Sequence, residues 1–292
     1  VGGAPILMAS YYIFARMYPH AMFATLGGAM IGFGSAGNLA GSAPLAWAVA
    51  AFGWRATMWG LAAAALLIAA ALLAVLRDPP RTDDEAAAQG SVFSLFKDRN
   101  LLFIFPMMLV NYAAASGIRG LWAGPYLVDV FAMDSAGIGN VTLVMASAMA
   151  AGNFAYGPLE RWVGSKKKVI LTTNLIGAGL CLILWALPDT SWMLSAVLFT
   201  GIGFFGATYA VIIAHGQLFL PKHLTGRGIT LLNLFGIGGV GLTQLATSAM
   251  AKTGTPEYAA TPAFYSDLFL VFALFLLAGC LVYAFSTERP AT

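Results

Sequence analysis

The stretch Gly157-Pro-Leu-Glu160-Arg161-Trp-Val-Gly164-Ser-Lys166-Lys167-Lys168 decides how this chain is read. It is a short polar turn whose ends run into two long apolar segments, 137–158 and 167–187. A helix needs about 20 apolar residues, at a rise of about 1.5 Å each, to cross the hydrocarbon of a bilayer. Both segments meet that length. Neither shows the period-two alternation of a barrel strand. Backbone groups in lipid must be satisfied inside each segment, so the pair is two membrane helices joined by a tight basic turn.

Working outward, the same pattern recurs. Seven further apolar segments lie at about 1–15, 21–47, 56–76, 100–127, 192–219, 227–250 and 264–285. Together they predict an all-α polytopic membrane protein with nine spans. The only sizeable hydrophilic stretch is 77–99, which contains DPPRTDDE and divides the spans into three plus six. Composition agrees: 60% of the 292 residues are hydrophobic and 9% charged, against about 25% charged in a soluble domain. Too few charges remain to cover a water-facing surface, and the chain is too apolar for intrinsic disorder. A net charge of +3 confined to loops gives no footprint for nucleic acid. Cys181 and Cys280 sit within apolar runs and read as packing residues.

The loop charges orient the bundle. Arg16, Arg77, Arg81, Lys97, Arg99, Arg161, Lys166, Lys167, Lys168, Lys222, Arg227 and Arg289 fall at alternate turns or the tail, twelve of the fifteen Lys and Arg. The positive-inside rule makes that side cytoplasmic, with the linker and the C-terminus. A bacterial inner membrane is the expected location. All nine crossings alternate under this assignment.

The Gly157–Lys168 turn, with an acid three residues after the first Gly, an adjacent Arg, a second Gly and then basic residues, resembles the turn that recurs in each half of the major facilitator superfamily. It departs in having Glu160 for the usual Asp and one extra residue before Gly164. Two other turns agree: Arg16-Met-Tyr-Pro19 through Gly27, and Leu220-Pro221 through Gly226-Arg227-Gly228. The resemblance implies that residues 1–76 are helices four to six of twelve, 77–99 the central cytoplasmic linker, and 100–292 helices seven to twelve. Three helices before the linker, and a start at Val1 within an apolar segment, lead us to expect about three more helices upstream. The resemblance also implies a monomeric secondary transporter working by alternating access, with solute held between the halves near the midplane. Gly157, Glu160, Arg161, Gly164, Lys166 and Lys167 would then form a cytoplasmic gate. Glu160 would face the N-terminus of the second span near Phe23 to Leu26, where a helix dipole favours a carboxylate. The competing reading is a basic turn that only sets topology.

Residues inside spans are the solute candidates. Tyr112, Arg119, Trp122 and Tyr126 are spaced by seven, three and four, which places them on one face of a regular helix. An Arg among aromatic rings can grip a carboxylate or phosphate with its planar fork. Otherwise Arg119 snorkels to the interface or pairs with Asp129 or Asp134. Gly124-Pro125 predicts a kink in this helix. Asn38, Asn111, Asn140, Asn153, Asn233 and Gln244 are further polar side chains within spans, alternatively explained by interhelical hydrogen bonds. His215, four residues before a span ends, is a proton-relay candidate or an interfacial hydrogen-bonding group. The Gly28/Gly32 and Gly37/Gly41 pairs, and Gly228, Gly236, Gly238, Gly239 and Gly241, predict close helix crossings.

These features favour transport of a small solute, a small organic anion by the Arg119 reading, with a proton or other ion as a possible coupling partner. The alternative is proton-coupled efflux of apolar or cationic compounds. No Asp or Glu lies clearly inside a span, so either a coupling carboxylate lies in the helices expected upstream or coupling uses no carboxylate here. A transporter-like solute receptor is a more distant alternative, given a linker of about 23 residues and a short tail. No Ser/His/Asp set, metal-ligand cluster or paired carboxylates suggest an enzyme, and no cofactor or metal is expected.

Overall fold

The computed structural model describes residues 39–75, 91–221, 224–253 and 255–288, with a few isolated positions before residue 39. The described residues are helical or in turns, with no strand among them. The chain forms two compact units, Val1–Gln89 and Gly90–Thr292.

In the first unit, α1 (Ala43–Phe52) and α2 (Trp54–Val75) are described. The sequence predicts one continuous helix over 21–47. The structure instead has a turn at Gly41 and Ser42 and restarts the helix at Ala43. Pro44 explains the restart: it lacks an N–H and suits a first helical turn, not an interior. Gly53 separates α1 from α2 with φ +79°, a conformation that favours glycine.

The second unit carries six apolar helices long enough to cross a membrane. With α2 that makes seven among the described residues. A short 3-10 turn, Val92–Lys97, leads into α3 (Arg99–Gly117), a π-helical turn (Ile118–Trp122) and α4 (Ala123–Phe131), which form one long span. Then follow α5 (Ser135–Val163), α6 (Lys166–Ala186), and α7 (Trp192–Phe205) with α8 (Tyr209–Gln217), which together form one interrupted span. The unit ends with α9 (Thr225–Thr253), the single turn α10 (Pro256–Ala259) and α11 (Pro262–Tyr283). The span expected over 1–15, and most of that over 21–47, lie outside the described residues.

Short polar residues set the helix starts. Asp98 accepts from the amides of Asn100 and Leu101, at 2.8 and 3.2 Å, and caps α3. Asp134 caps α5 through Gly137, and Ser165 caps α6 through Lys168. Each supplies an acceptor to an amide that has no partner within its own helix.

Helix α3 is the hub. It packs most extensively on α9 and also on α11. Glycine makes this possible: a Cβ on Gly239 of α9 would collide with the Leu109 carbonyl of α3, and one on Gly279 of α11 with the Val110 side chain. Of the other glycines expected at crossings, Gly236 meets Tyr209 and Met108, Gly228 meets Leu220 within its own turn, and Gly238 and Gly241 face open space. The core between α4, α7 and α11 is aromatic. Tyr126 packs edge-on against Phe131, Phe199, Tyr265 and Phe269, with ring centroids 5.2–5.6 Å apart. Both cysteines are buried free thiols.

Candidate functional site

The long first span of the second unit is not a regular helix, and the irregularity falls on Arg119. Pro125 has no N–H, and its ring would clash with the carbonyl four residues back, at Leu121. The helix accommodates this with the π turn over Ile118–Trp122, closed by a bond from the Ala123 amide to the Ile118 carbonyl. The kink expected at Gly124-Pro125 is thus realised as a widened turn just before it. One extra residue in a turn rotates everything beyond it by about 100° relative to what precedes.

That rotation divides the predicted face. Arg119 and Tyr112 remain half-buried. Trp122 and Tyr126 are turned into the core, against the expectation of one continuous face. Trp122 Nε1 donates to Thr247 Oγ1 at 3.0 Å. The Tyr126 hydroxyl donates to the Pro188 carbonyl at 2.6 Å and shares a 2.7 Å bond with Ser195. Of the two acids weighed as Arg119 partners, Asp134 caps α5 and Asp129 accepts from the Tyr265 hydroxyl.

Tyr112 has neighbours that the sequence reading missed. The Tyr112 ring lies 5.5 Å from that of Tyr209. The Tyr209 hydroxyl donates to Asn233 Oδ1 on α9. Asn233 and Gln244 are both half-buried. Three spans therefore contribute to one polar and aromatic cluster: Tyr112 from α3, Tyr209 from α8 and Asn233 from α9. Tyr209 is admitted by Gly236, whose missing Cβ would overlap the phenol ring. The signal available in the sequence was Gly206-Ala207-Thr208-Tyr209, a glycine and a hydroxyl residue in mid-span where a helix can break.

Asn111 lies in the interior. It is buried, and its Nδ2 donates to Asn174 Oδ1 at 2.8 Å and to Thr208 Oγ1 at 2.9 Å. Asn174 Nδ2 also reaches Thr208, at 3.3 Å, and the Ile170 carbonyl, at 2.8 Å. The cluster ties α3 and α6 to the interruption between α7 and α8. Asn111 Oδ1 accepts from no described residue, and Asn111 lines a cavity of about 10 Å³ together with Thr173, Asn174 and Gly206. That is about the space one water molecule needs. Asn174 was legible by the rule that singled out Asn111, as an amide inside an apolar run.

At the Gly157–Lys168 turn, α5 ends at Gly164, which adopts φ +69° and returns its amide to the Glu160 carbonyl at 2.9 Å. Any other residue there would be strained. Ser165 then starts α6. Glu160 pairs with Lys166 across the turn. Lys167 reaches elsewhere, donating to the carbonyls of Ala284 and Ser286 at 2.7 Å each. Gly157 and Arg161 are exposed. The partner region expected for Glu160, Phe23 to Leu26, lies outside the described residues, as does Asn38. Asn140 and Asn153 are exposed on α5.

His215 is fully buried at the same end of the unit. Its Nδ1 is bonded to the Tyr283 hydroxyl at 2.6 Å and its Nε2 to the Thr287 carbonyl at 3.1 Å. Thr287 also bonds Asn100 at the start of α3. His215 thus joins α8 to the last described residues.

No group of three metal-ligating side chains occurs among the described residues. No curated protein matches the chain. The family model of the Major Facilitator Superfamily matches residues 1–244. An all-helical bundle with this match over more than half its length has one reading: the chain is an integral membrane protein of the major facilitator superfamily, whose members are transporters.

Proposed function

We propose that the chain moves a small organic anion by alternating access, with Arg119, Tyr112, Tyr209, Asn233 and Gln244 forming the solute face of the Gly90–Thr292 unit. The observation that carries this is the placing of Arg119 on a π turn within a 33-residue apolar span. A charge at such depth is costly unless a cavity, a partner or a ligand compensates it. The guanidinium offers paired N–H donors matched to a carboxylate or phosphate. Tyr112, with Tyr209 packed on its ring, adds rings and hydroxyls to the same face. In this reading the Lys166 turn, the linker 77–99 and the C-terminus are cytoplasmic, residues 1–76 belong to the first half and 100–292 to the second, and the carrier works as a monomer.

The test is uptake into proteoliposomes and ligand-induced thermal stabilisation, using benzoate, citrate and glucose 6-phosphate as anion probes and tetraphenylphosphonium as a cationic one. An anion should stabilise the protein and be accumulated, and Arg119→Gln should weaken this at least tenfold while leaving expression and unliganded stability unchanged. Stabilisation by the cation alone, indifferent to Arg119→Gln, would replace this reading with efflux of apolar or cationic compounds. Saturable binding without accumulation would point to a solute receptor.

A further inference from the structure

A groove of about 430 Å³ runs along the outside of the second unit between α3, α9 and α11. Leu102, Pro106 and Leu109 form one wall, Phe235 faces them, and Phe275 and Ala278 continue the lining from α11. The lining is almost wholly apolar, and every helix in it is a membrane span. Its size falls in the range of ligand pockets, about 300–1,000 Å³.

One end of the groove is basic. Arg99, Leu102, Pro106 and Leu109 follow the three- and four-residue spacing of one helix stripe, so Arg99 heads the wall. Phe96 lines the groove and Lys97 follows it directly. Both cations are exposed, and neither forms an ion pair with a described residue. Arg99 rests on the Phe103 ring with its guanidinium carbon 5.6 Å from the centroid, which occupies a face of the fork and leaves the N–H edges for an acceptor. The one acid between them, Asp98, is committed to capping α3. The groove therefore joins apolar walls at hydrocarbon depth to two cations where the first span begins. Basic pockets between spans are the structural form of lipid headgroup recognition.

We propose that this groove holds an acyl chain of an anionic phospholipid, with the headgroup phosphate drawn by Lys97 and Arg99. The assignment does not depend on the identity of the transported solute. The occupant is a lipid and not a second copy of the chain, because the groove's lining holds no acid, so a matching face from a second copy would bring no counter-charge to Lys97 and Arg99.

The test is native mass spectrometry of the purified chain after incubation with dioleoyl-phosphatidylglycerol or dioleoyl-phosphatidylcholine. The wild type should retain the anionic lipid about tenfold or more in preference. Lys97→Gln with Arg99→Gln should abolish the preference while keeping a lipid adduct, and Ala278→Trp, at an exposed groove position, should remove adducts of both lipids. To guard against misfolding of the variants, a diazirine-bearing phosphatidylglycerol is photolysed on the wild type. Crosslinks concentrated on 96–110 and 275–282 are expected. Uniform labelling of all exposed helix faces, equal retention of both lipids, or a dimer bridging this groove would overturn the proposal.

Discussion

Ser165 and Glu288 are 123 residues apart in sequence and are joined by a hydrogen bond of 2.6 Å, the serine hydroxyl donating to the carboxylate. Ser165 starts α6 beside the basic turn, and Glu288 follows the end of α11. Lys167 reinforces the link through the carbonyls of Ala284 and Ser286, where a helix end presents unsatisfied acceptors to a cation. The turn is thus tied to the tail of its own unit. Lys167→Met and Glu288→Gln should each lower the thermal midpoint by a few degrees, about 1–2 kcal/mol for a charge-assisted bond at a partly exposed site. The double variant should cost less than the sum, since both act on one clasp. Strict additivity in the thermal unfolding curves would show that the two contacts are independent.

Glu160 and Lys166 form the turn's own ion pair. Glu160→Gln and Lys166→Met should both raise labelling of single cysteines placed near this end of the bundle, because the turn loses its closure. Swapping the charges, Glu160→Lys with Lys166→Glu, should restore the wild-type rate if the pair is the operative unit. Failure of the swap alongside an effect of Glu160→Gln would mean that Glu160 acts on a different partner, as the family resemblance suggests. Unchanged labelling in every variant would leave the turn with a topological role alone.

Trp122 and Arg119 stand three residues apart and should behave oppositely. Trp122→Phe removes the bond to Thr247 within the core. It should cost about 1 kcal/mol of stability and change solute affinity less than twofold. Arg119→Gln should do the reverse. Thermal unfolding and a binding titration on the same two preparations separate the roles.

Gly239 and Gly241 give a sharp steric comparison. Gly239→Ala places a methyl on the Leu109 carbonyl, so α9 and α3 must separate. Overpacking of this kind costs about 1–3 kcal/mol. Gly241→Ala meets open space and should be neutral or slightly stabilising. Equal stability of the two variants would mean that the α3–α9 crossing is not held closely.

The seven described spans were legible because length and apolarity decide them without any tertiary knowledge. Both the basic turn and Gly164 were legible, since a turn announces itself by charge and a glycine by what other residues cannot do. The division of the Arg119 face was not. Spacing of seven, three and four assumes 3.6 residues per turn throughout, and Pro125 acts backwards on the four residues before it. The partnership of Asn111 with Asn174 and Thr208 was also hidden. It spans 97 residues of sequence, and which amide meets which hydroxyl is settled only when three spans pack. Tyr209 was passed over because it stands at a break, and helical periodicity says nothing about a residue at the seam of two helices.

The widened turn at Ile118–Trp122 has a genetic corollary. It is the form a helix takes when it carries one residue more than its register allows, so deleting a single codon there is the natural way to remove it. Such a deletion would leave Tyr126 in its ring of four aromatic partners and Asp129 against Tyr265, because the bulge has already absorbed the extra residue. A single-residue deletion elsewhere in the span, outside the widened turn, would instead re-index the residues beyond it by about 100°. The widened turn is therefore a place where this span can lose one residue of length and keep its packing.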